Sequence, residues 1–406
     1  MPVFDGRRLS GGLPVDENAR RLSNCFHAER QLLHCLCGAL PRVASFELKI
    51  LLGTQIWSIG QSLSGYSRRL SELRTYGDYP ARPGEAFESV LNEMDRAPST
   101  GAQLSWIYRR FVPALCRTYE SYIAECDPLL DEPTVQLLSA AVTAHQEYRA
   151  EILERVSDDR NPAGWTRHLD TMLQSLGPIE RSPLRASQAR HWDEIKPVDR
   201  FERPAHFTFG TDHGIDPRAI YGRPDEFYFP LDLGFRRHFL HHLVDAEMVA
   251  AELMACNIHE YPAMPLQFHI DMARQVWDEV RHARVQWEML KDIQVPLGSF
   301  PVYHGYDLAL YRRSLLHRLI LFNRLGEAGA ARRHLRRSRL LRAQGLEDWA
   351  NLFDYLHADE IPHVANGDRW ARHLFSGPAA EFSSYCRRLE SEFQSEFEFV
   401  KGRTVA

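Results

Sequence analysis

Apolar residues recur at three- and four-residue intervals along most of the chain, which is the period of an amphipathic α-helix. Four such segments lie between residues 19 and 155, and breaks rich in Pro and Gly, such as YGDYPARPGE, separate them. The same periodicity returns at about residue 234 and continues to about residue 400. No segment shows the alternation typical of a strand ladder. The pattern therefore predicts an all-α protein with two helical bundles.

The predicted domains follow these changes of pattern. Residues 1–18 form a flexible lead, residues 19–155 an N-terminal helical domain, and residues 234–400 a second helical domain. Residues 156–233 are rich in Pro, Gly, Asp and Arg with scattered aromatic residues. A stretch of that length predicts an ordered wrap or linker, because its aromatic content argues against disorder.

Composition narrows the class of protein. Of the 406 residues, 44% are hydrophobic and 25% are charged, as in ordinary globular proteins. The net charge of −5 provides no general attraction for nucleic acid. No apolar run approaches the roughly 20 residues of a membrane span, and the N-terminus lacks a signal-peptide core, so we expect a cytoplasmic protein. The seven cysteines include no C-x-x-C, which disfavours disulfides or a zinc site.

Two segments of the C-terminal domain carry the same three residue types at the same spacing. DEVRH spans residues 278–282 and DEIPH spans residues 359–363, so each contains Asp, Glu and His. Glu and His three residues apart lie on one face of a helix, where both can reach one metal ion. A single E-x-x-H is weak, since short motifs arise by chance. The doubled pattern, with Asp before each Glu, indicates a metal site with two matching halves.

Each motif has a further glutamate at an equivalent distance before it. Glu247 precedes Glu279 by 32 residues, and Glu327 precedes Glu360 by 33 residues. Each distance fits a helix, a short turn and an antiparallel return, and a dimetal carboxylate bundle needs such a Glu from each remaining helix. The predicted metal ligands are Glu247, Glu279, His282, Glu327, Glu360 and His363.

The chemistry of the ligands and their neighbours refines this prediction. Carboxylates and imidazoles without thiolates favour iron or manganese over structural zinc. Asp278 and Asp359 are each expected to accept the free ring N–H of a ligand histidine on the opposite hairpin. Glu252 is retained as a substitute ligand, although five residues of helix prevent it and Glu247 from facing one site together. Candidates for the mouth of the site are His238, His241 and His242.

Two residues of the second motif affect the local backbone. Pro362 deprives Ala358 of its helical hydrogen bond and is expected to kink the helix. Gly367 lies one turn after His363 and is expected to allow close helix packing or to end the helix.

Four segments resemble the ferritin-like proteins of the DUF455 type, relatives of the tRNA-hydroxylase branch of that superfamily. They are AEMVAAELM (246–254), DEVRH (278–282), FNRLGEAGA (322–330) and DEIPHVANGDRW (359–370). The resemblance covers about residues 234–375 and implies a four-helix bundle with a dinuclear iron or manganese centre on the six ligands named above. The N-terminal domain contains no E-x-x-H. We interpret it as a degenerate ferritin-like unit that caps the site, shapes a substrate tunnel or forms a homodimer contact.

Three functions are compatible with such a site. The preferred one is a non-haem dinuclear iron, or Mn/Fe, oxidase or oxygenase. It would use O2 and an external reductase to hydroxylate, desaturate or N-oxygenate a small organic substrate. The second is a tRNA-modifying hydroxylase, for which the Arg-rich stretch 332–342 is the only cue and the net acidity is the counterargument. The third is a non-catalytic interaction protein whose bundle the metal staples together.

Overall fold

A computed structural model describes residues 12–74, 82–156, 163–185, 197–209, 233–302 and 309–403. Within them the fold is all-α, as predicted. Their strand structure is limited to the antiparallel pair Arg82–Pro83 and Leu184–Arg185 and a parallel bridge from Phe209 to Val302. The chain divides into two compact units: unit 1 comprises residues 1–202 and 254–277, and unit 2 comprises residues 203–253 and 278–406.

Unit 1 is built mainly from long helices that pack in pairs. Helix α1 spans Val15–Ala39 and packs against α2, Phe46–Glu72. Helix α3 (Glu85–Asp95) and helix α4 (Thr100–Trp106) follow, and a π-helical segment, Ile107–Phe111, leads into α5, Val112–Glu125. Helix α6, Glu132–Leu153, packs against both α2 and α5.

Two features of unit 1 differ from the sequence-based boundaries. Helix α1 begins at Val15, inside the predicted lead, where Asp16 and Glu17 in its first turn favourably face the positive end of the helix. Helix α7, Ala163–Leu176, lies in the segment predicted as a wrap and packs against α3. Of that segment, residues 157–162, 186–196 and 210–232 lie outside the described residues.

Unit 2 contains the helices that carry both motifs. They are α8, Leu233–Glu260, and α9, Leu266–Asp292, whose residues 233–253 and 278–292 belong to this unit. Helix α10 (Leu315–Arg318), a π-helical segment (Leu319–Gly326) and helix α11 (Glu327–Ala343) form one continuous run. Helix α12, Glu347–Leu374, packs along this run, and α13 spans Phe382–Arg403. Among the helices described, none has both the length and the apolar character needed to cross a lipid bilayer.

Helix α12 approaches the preceding π-helical segment very closely at Gly367. A Cβ atom at this position would lie 2.5 Å from Asn323 Cβ and 2.9 Å from Arg324 N. Gly367 therefore permits close packing and does not end the helix, which runs on to Leu374. The helix also continues through Pro362. Pro362 and Ala358 are both exposed, so water can bond the Ala358 carbonyl that lacks its amide donor.

Candidate metal centre

The six predicted ligands lie on four helices of unit 2, and the structure brings them together. Their ligand atoms form two groups, and within each group all of these atoms lie within 4.8 Å of one another. Position 1 consists of Glu247 on α8 with Glu279 and His282 on α9. Glu279 is shared with position 2, which adds Glu327 on α11 and Glu360 and His363 on α12.

The centre is almost completely buried. The side chains of Glu279, His282, Glu360 and His363 are at most 2% exposed, whereas that of Glu247 is 12% exposed. Burying several carboxylates together is very unfavourable unless cations or hydrogen bonds compensate their charge. The arrangement therefore requires positive charge at its middle, and Glu247 marks its most accessible side.

A π-helical segment places the α11 ligand. Leu319–Gly326 adopts this wider turn directly before Glu327, the first residue of the following α-helix. A π turn shifts the helical register, and such turns are frequent at functional sites. The periodicity of the sequence did not predict the π-helical segment, because its Leu, Ile and Phe residues are also compatible with an ordinary α-helix.

The two motif aspartates hold the ligand histidines crosswise. His282 Nε2 lies 3.1 Å from Asp359 Oδ2, and His363 Nε2 lies 3.3 Å from Asp278 Oδ2. Each aspartate thus contacts the histidine of the other motif, which is the pairing expected from the sequence. Because a carboxylate accepts the Nε2 proton, each neutral imidazole presents the lone pair of Nδ1 to the centre.

These Nδ1 atoms face carboxylate oxygens. His282 Nδ1 lies 3.4 Å from Glu279 Oε2 and has no hydrogen-bond partner among the described residues. His363 Nδ1 lies 3.0 Å from Glu360 Oε2 and 3.4 Å from Glu279 Oε1. A lone pair opposite an anionic oxygen is repelled unless a proton or a metal ion lies between them. The donors therefore fit one cation at each position.

Protons fill this role when no metal ion is bound. Burial acts to lower the pKa of His363, but the hydrogen bond to Asp278 and the adjacent glutamates raise it to about 10. The pKa of His282 is also raised well above its ordinary value, because Asp359 and Glu279 outweigh burial.

Two of the glutamates also bind protons more tightly than usual in the metal-free protein. Burial raises the pKa of Glu247 to about 8, and repulsion from Glu279 adds to the effect. Burial and repulsion from Glu360 raise the pKa of Glu327 well above its ordinary value. The pKa of Glu360 itself is held well below its ordinary value, since His334 and His363 outweigh the effect of burial.

Arg281 joins the two halves of the centre and was missed in the sequence. Its Nη2 donates to Asp278 Oδ1 at 2.6 Å and to Asp359 Oδ2 at 2.7 Å. One guanidinium therefore holds both of the aspartates that orient the histidines. The sequence offered one indication of this role: Arg281 lies within DEVRH, and the corresponding position of the second motif is Pro362.

Two further residues contact the ligand glutamates. Gln286 Nε2 donates to Glu247 Oε1 at 2.9 Å, and His334 Nε2 lies 3.7 Å from Glu360 Oε1. Gln286 and His334 are buried. Burial lowers the pKa of His334 to about 4, so its ring is neutral near neutral pH. The helical period could have predicted that both residues face the site, because Gln286 lies one turn after His282 and His334 lies two turns after Glu327.

Glu252 pairs with an arginine and is not part of the candidate metal centre. Arg203 Nη1 donates to Glu252 Oε1 at 2.7 Å and Nη2 donates to Oε2 at 3.1 Å, while Nε donates to Asp245 Oδ1 at 2.7 Å. All three side chains are buried. Among the described residues, the converging donor groups contain Glu247 and not Glu252.

Of the three histidines predicted for the mouth of the site, His241 has the best-defined contacts. His241 Nε2 accepts the Gly298 N–H at 2.9 Å, and its ring meets Phe300 edge-on. Burial lowers the pKa of His242, although Asp245 acts in the opposite direction. The side chain of His238 lies outside those that the structure describes. His241 therefore contacts the loop that follows α9, through Gly298 and Phe300.

Comparison with known proteins gives one match. Residues 231–402 match the model of a family described as "Protein of unknown function (DUF455)", which confirms this part of the resemblance. No curated protein and no solved structure matches the chain. The matched region includes every residue of positions 1 and 2, so the candidate metal centre lies entirely in the part of the chain that is similar to DUF455 proteins.

Proposed function

We propose that unit 2 is a ferritin-like bundle that binds two metal ions and acts as an O2-dependent oxidase or oxygenase. The observation that carries the proposal is the pair of buried donor groups that share Glu279, each with a histidine Nδ1 facing carboxylate oxygens. Glutamates and Glu-x-x-His pairs projecting inward from four helices are the ligand set of dimetal carboxylate bundles. Carboxylate and imidazole donors without thiolates suit iron and manganese.

The chain provides charge balance and orientation for such a centre. Six carboxylates and the Arg281 guanidinium lie together, so two divalent cations bring the site close to neutrality. When bound, two redox-active ions supply electrons and Lewis acidity for reactions with O2. Asp278 and Asp359 hold the imidazoles with Nδ1 inward, and burial excludes bulk water. The greater exposure of Glu247 leads us to place substrate entry beside position 1.

We extend the proposal to unit 1 as a degenerate ferritin-like unit. Each unit contains a π-helical segment that leads into a long helix. Glu29 lies 14 residues after the start of α1, as Glu247 lies 14 residues after the start of α8. Glu29 Oε1, however, accepts a hydrogen bond from Tyr119 Oη at 2.8 Å and lies 2.7 Å from His145 Nε2. These protein groups occupy the place that a metal ion would take in our interpretation.

The tRNA hydroxylase remains a second candidate with a weaker basis. The only sequence feature that favours it is the Arg-rich stretch of α11, and some of these arginines contact other residues of unit 2. Arg337 lies over the rings of Phe239 and Phe353 at 4.9 and 5.5 Å, and Arg342 donates to Asp354 at 2.7 Å. Binding of tRNA that weakens steeply with salt would support this candidate.

Anaerobic Fe(II) loading followed by exposure to O2 tests the main proposal. We expect about two iron ions per chain, and rapid O2 uptake when air is admitted. Glu279→Ala should lose both ions and the O2 uptake, because this carboxylate belongs to both positions. Glu288→Ala is the matched control on the same helix, since its side chain is 57% exposed and contacts Lys291. It should retain both ions and the uptake.

The same experiment separates the alternatives. Two bound ions without O2 uptake, together with unfolding on chelation, would overturn the oxidase and support the metal staple. Failure of the unaltered protein to bind two ions would overturn the metal centre itself.

A further inference from the structure

The corresponding carboxylates of the two motifs are oriented differently. Glu279 directs one oxygen toward each histidine: Oε2 lies 3.4 Å from His282 Nδ1, and Oε1 lies 3.4 Å from His363 Nδ1. Glu360 has Oε2 at 3.0 Å from His363 Nδ1, but its Oε1 faces His334 Nε2 at 3.7 Å. Glu279 thus spans both positions, whereas Glu360 faces position 2 only.

Arg337 decides which nitrogen of His334 carries the proton. Arg337 Nη1 lies 3.4 Å from His334 Nδ1, and a guanidinium can only donate. Nδ1 is therefore the acceptor, and the proton of the neutral ring is on Nε2, the atom that faces Glu360. In this tautomer His334 offers Glu360 an N–H donor and has no lone pair there for a metal ion.

Packing keeps His334 in place. Its ring stacks on Phe353 with centroids 5.5 Å apart and planes 22° apart, and the side chains of His334 and Arg337 are buried. Phe353 belongs to the apolar core of unit 2 together with Phe239, over which Arg337 also lies. A stacked and buried imidazole has little freedom to turn away from Glu360.

The position of the first half that corresponds to His334 in sequence is occupied by a different type of residue. His334 follows Glu327 by seven residues, and the residue seven positions after Glu247 is Met254. A thioether has no hydrogen to donate. The asymmetry of the centre is therefore already present in the sequence, at one pair of corresponding positions.

We infer that His334 is a positioning residue that confines Glu360 to position 2, so that Glu279 alone is shared by both metal ions. This inference rests on the dinuclear centre proposed above. It leaves position 1 with Glu247, Glu279 and His282, and gives position 2 one more carboxylate. Position 1 therefore has the more open coordination, on the side where Glu247 is partly exposed.

Cobalt binding to the metal-free, full-length protein tests the sharing of Glu279. Co(II) reports its coordination by visible absorption and does not require turnover. Glu279→Ala should lose both Co(II) ions, whereas Glu360→Ala should lose only the ion at position 2. Loss of both ions from Glu360→Ala would overturn the inference, because Glu360 would then also be shared.

The role of His334 is tested in two backgrounds that each retain one position. Glu247→Ala removes a donor that belongs to position 1 only and leaves position 2 intact. Glu327→Ala removes a donor that belongs to position 2 only and leaves position 1 intact. His334→Phe preserves the stacking on Phe353 but removes the N–H donor. It should weaken Co(II) binding about 10- to 100-fold in the Glu247→Ala background, as is usual for residues that orient metal ligands. In the Glu327→Ala background the affinity should change less than about twofold.

A donor-retaining variant and a folding control complete the design. His334→Gln keeps an N–H group and should recover most of the affinity at position 2. Circular dichroism and thermal unfolding of each metal-free variant show that the fold is retained. Equal weakening in both backgrounds, or none at position 2, would overturn the role of His334. If the unaltered protein fails to bind two Co(II) ions, the dinuclear centre fails before any His334 variant is compared.

Discussion

Metal binding to unit 2 should release protons, and their number follows from the surroundings of the ligands. His363, with a pKa of about 10, is protonated at pH 7, and Glu247, with a pKa of about 8, is about nine-tenths protonated. The pKa values of His282 and Glu327 are also raised well above their ordinary values. To bind metal, these groups must lose any proton they hold. His363 and Glu247 should together release about two protons at pH 7, and the raised pKa values of His282 and Glu327 should add to that number.

The release of protons has a second measurable consequence. Because at least about two protons leave, the product of the two metal-binding constants should rise by at least about two orders of magnitude per pH unit near pH 7. Titration calorimetry with Mn(II) in buffers of different ionisation enthalpy measures the proton number directly, as the slope of the observed heat against that enthalpy. Glu247→Gln, which cannot ionise and removes an anionic donor from position 1, should reduce the slope by at least about one. A slope near zero in the unaltered protein would refute the reasoning.

Three further predictions concern stability. In the metal-free protein, the His and Glu side chains with raised pKa values stabilise the fold only while their protons stay bound. Between pH 7 and 8.5 the free energy of unfolding in urea should therefore fall by about 1.4 kcal/mol per pH unit for each fully protonated group. Excess metal should remove this fall, and a flat profile without metal would contradict it. Gly367→Ala should cost about 1–3 kcal/mol by crowding Asn323. Gly101→Ala, where nothing lies within 4 Å of the added Cβ, should not lower the melting temperature. Arg203→Met should cost about 3–5 kcal/mol in urea unfolding, because the Glu252 carboxylate loses its buried guanidinium. An unaltered urea midpoint would show that this ion pair is not needed.

The helices and the six Glu and His side chains that converge in unit 2 could be predicted from the sequence, because both depend on local spacing. A 3.6-residue period places Glu279 and His282 on one helix face without knowledge of any other element. The repeat of that pattern at Glu360 and His363 predicted the second group of converging donors. The match of residues 231–402 to DUF455 agrees with the segments on which the resemblance rested.

Local spacing could not decide features that depend on residues far away in the sequence, such as the choice between two glutamates on one helix. Glu247 and Glu252 lie on one helix, and the choice between them follows from Arg203, which is 49 residues from Glu252 in sequence. The π-helical segment before Glu327 and the helix at Ala163–Leu176 were missed for the same reason. A short apolar or mixed stretch takes its final conformation from the surfaces that pack against it.

The sequence alone thus determined an all-α chain and the six donors that converge in unit 2. The tertiary structure decided which carboxylate spans both positions, since His334 reaches Glu360 only once α11 and α12 have packed together. Helical period fixes the face on which a side chain lies. Its hydrogen-bond partners depend on which other helix that face meets.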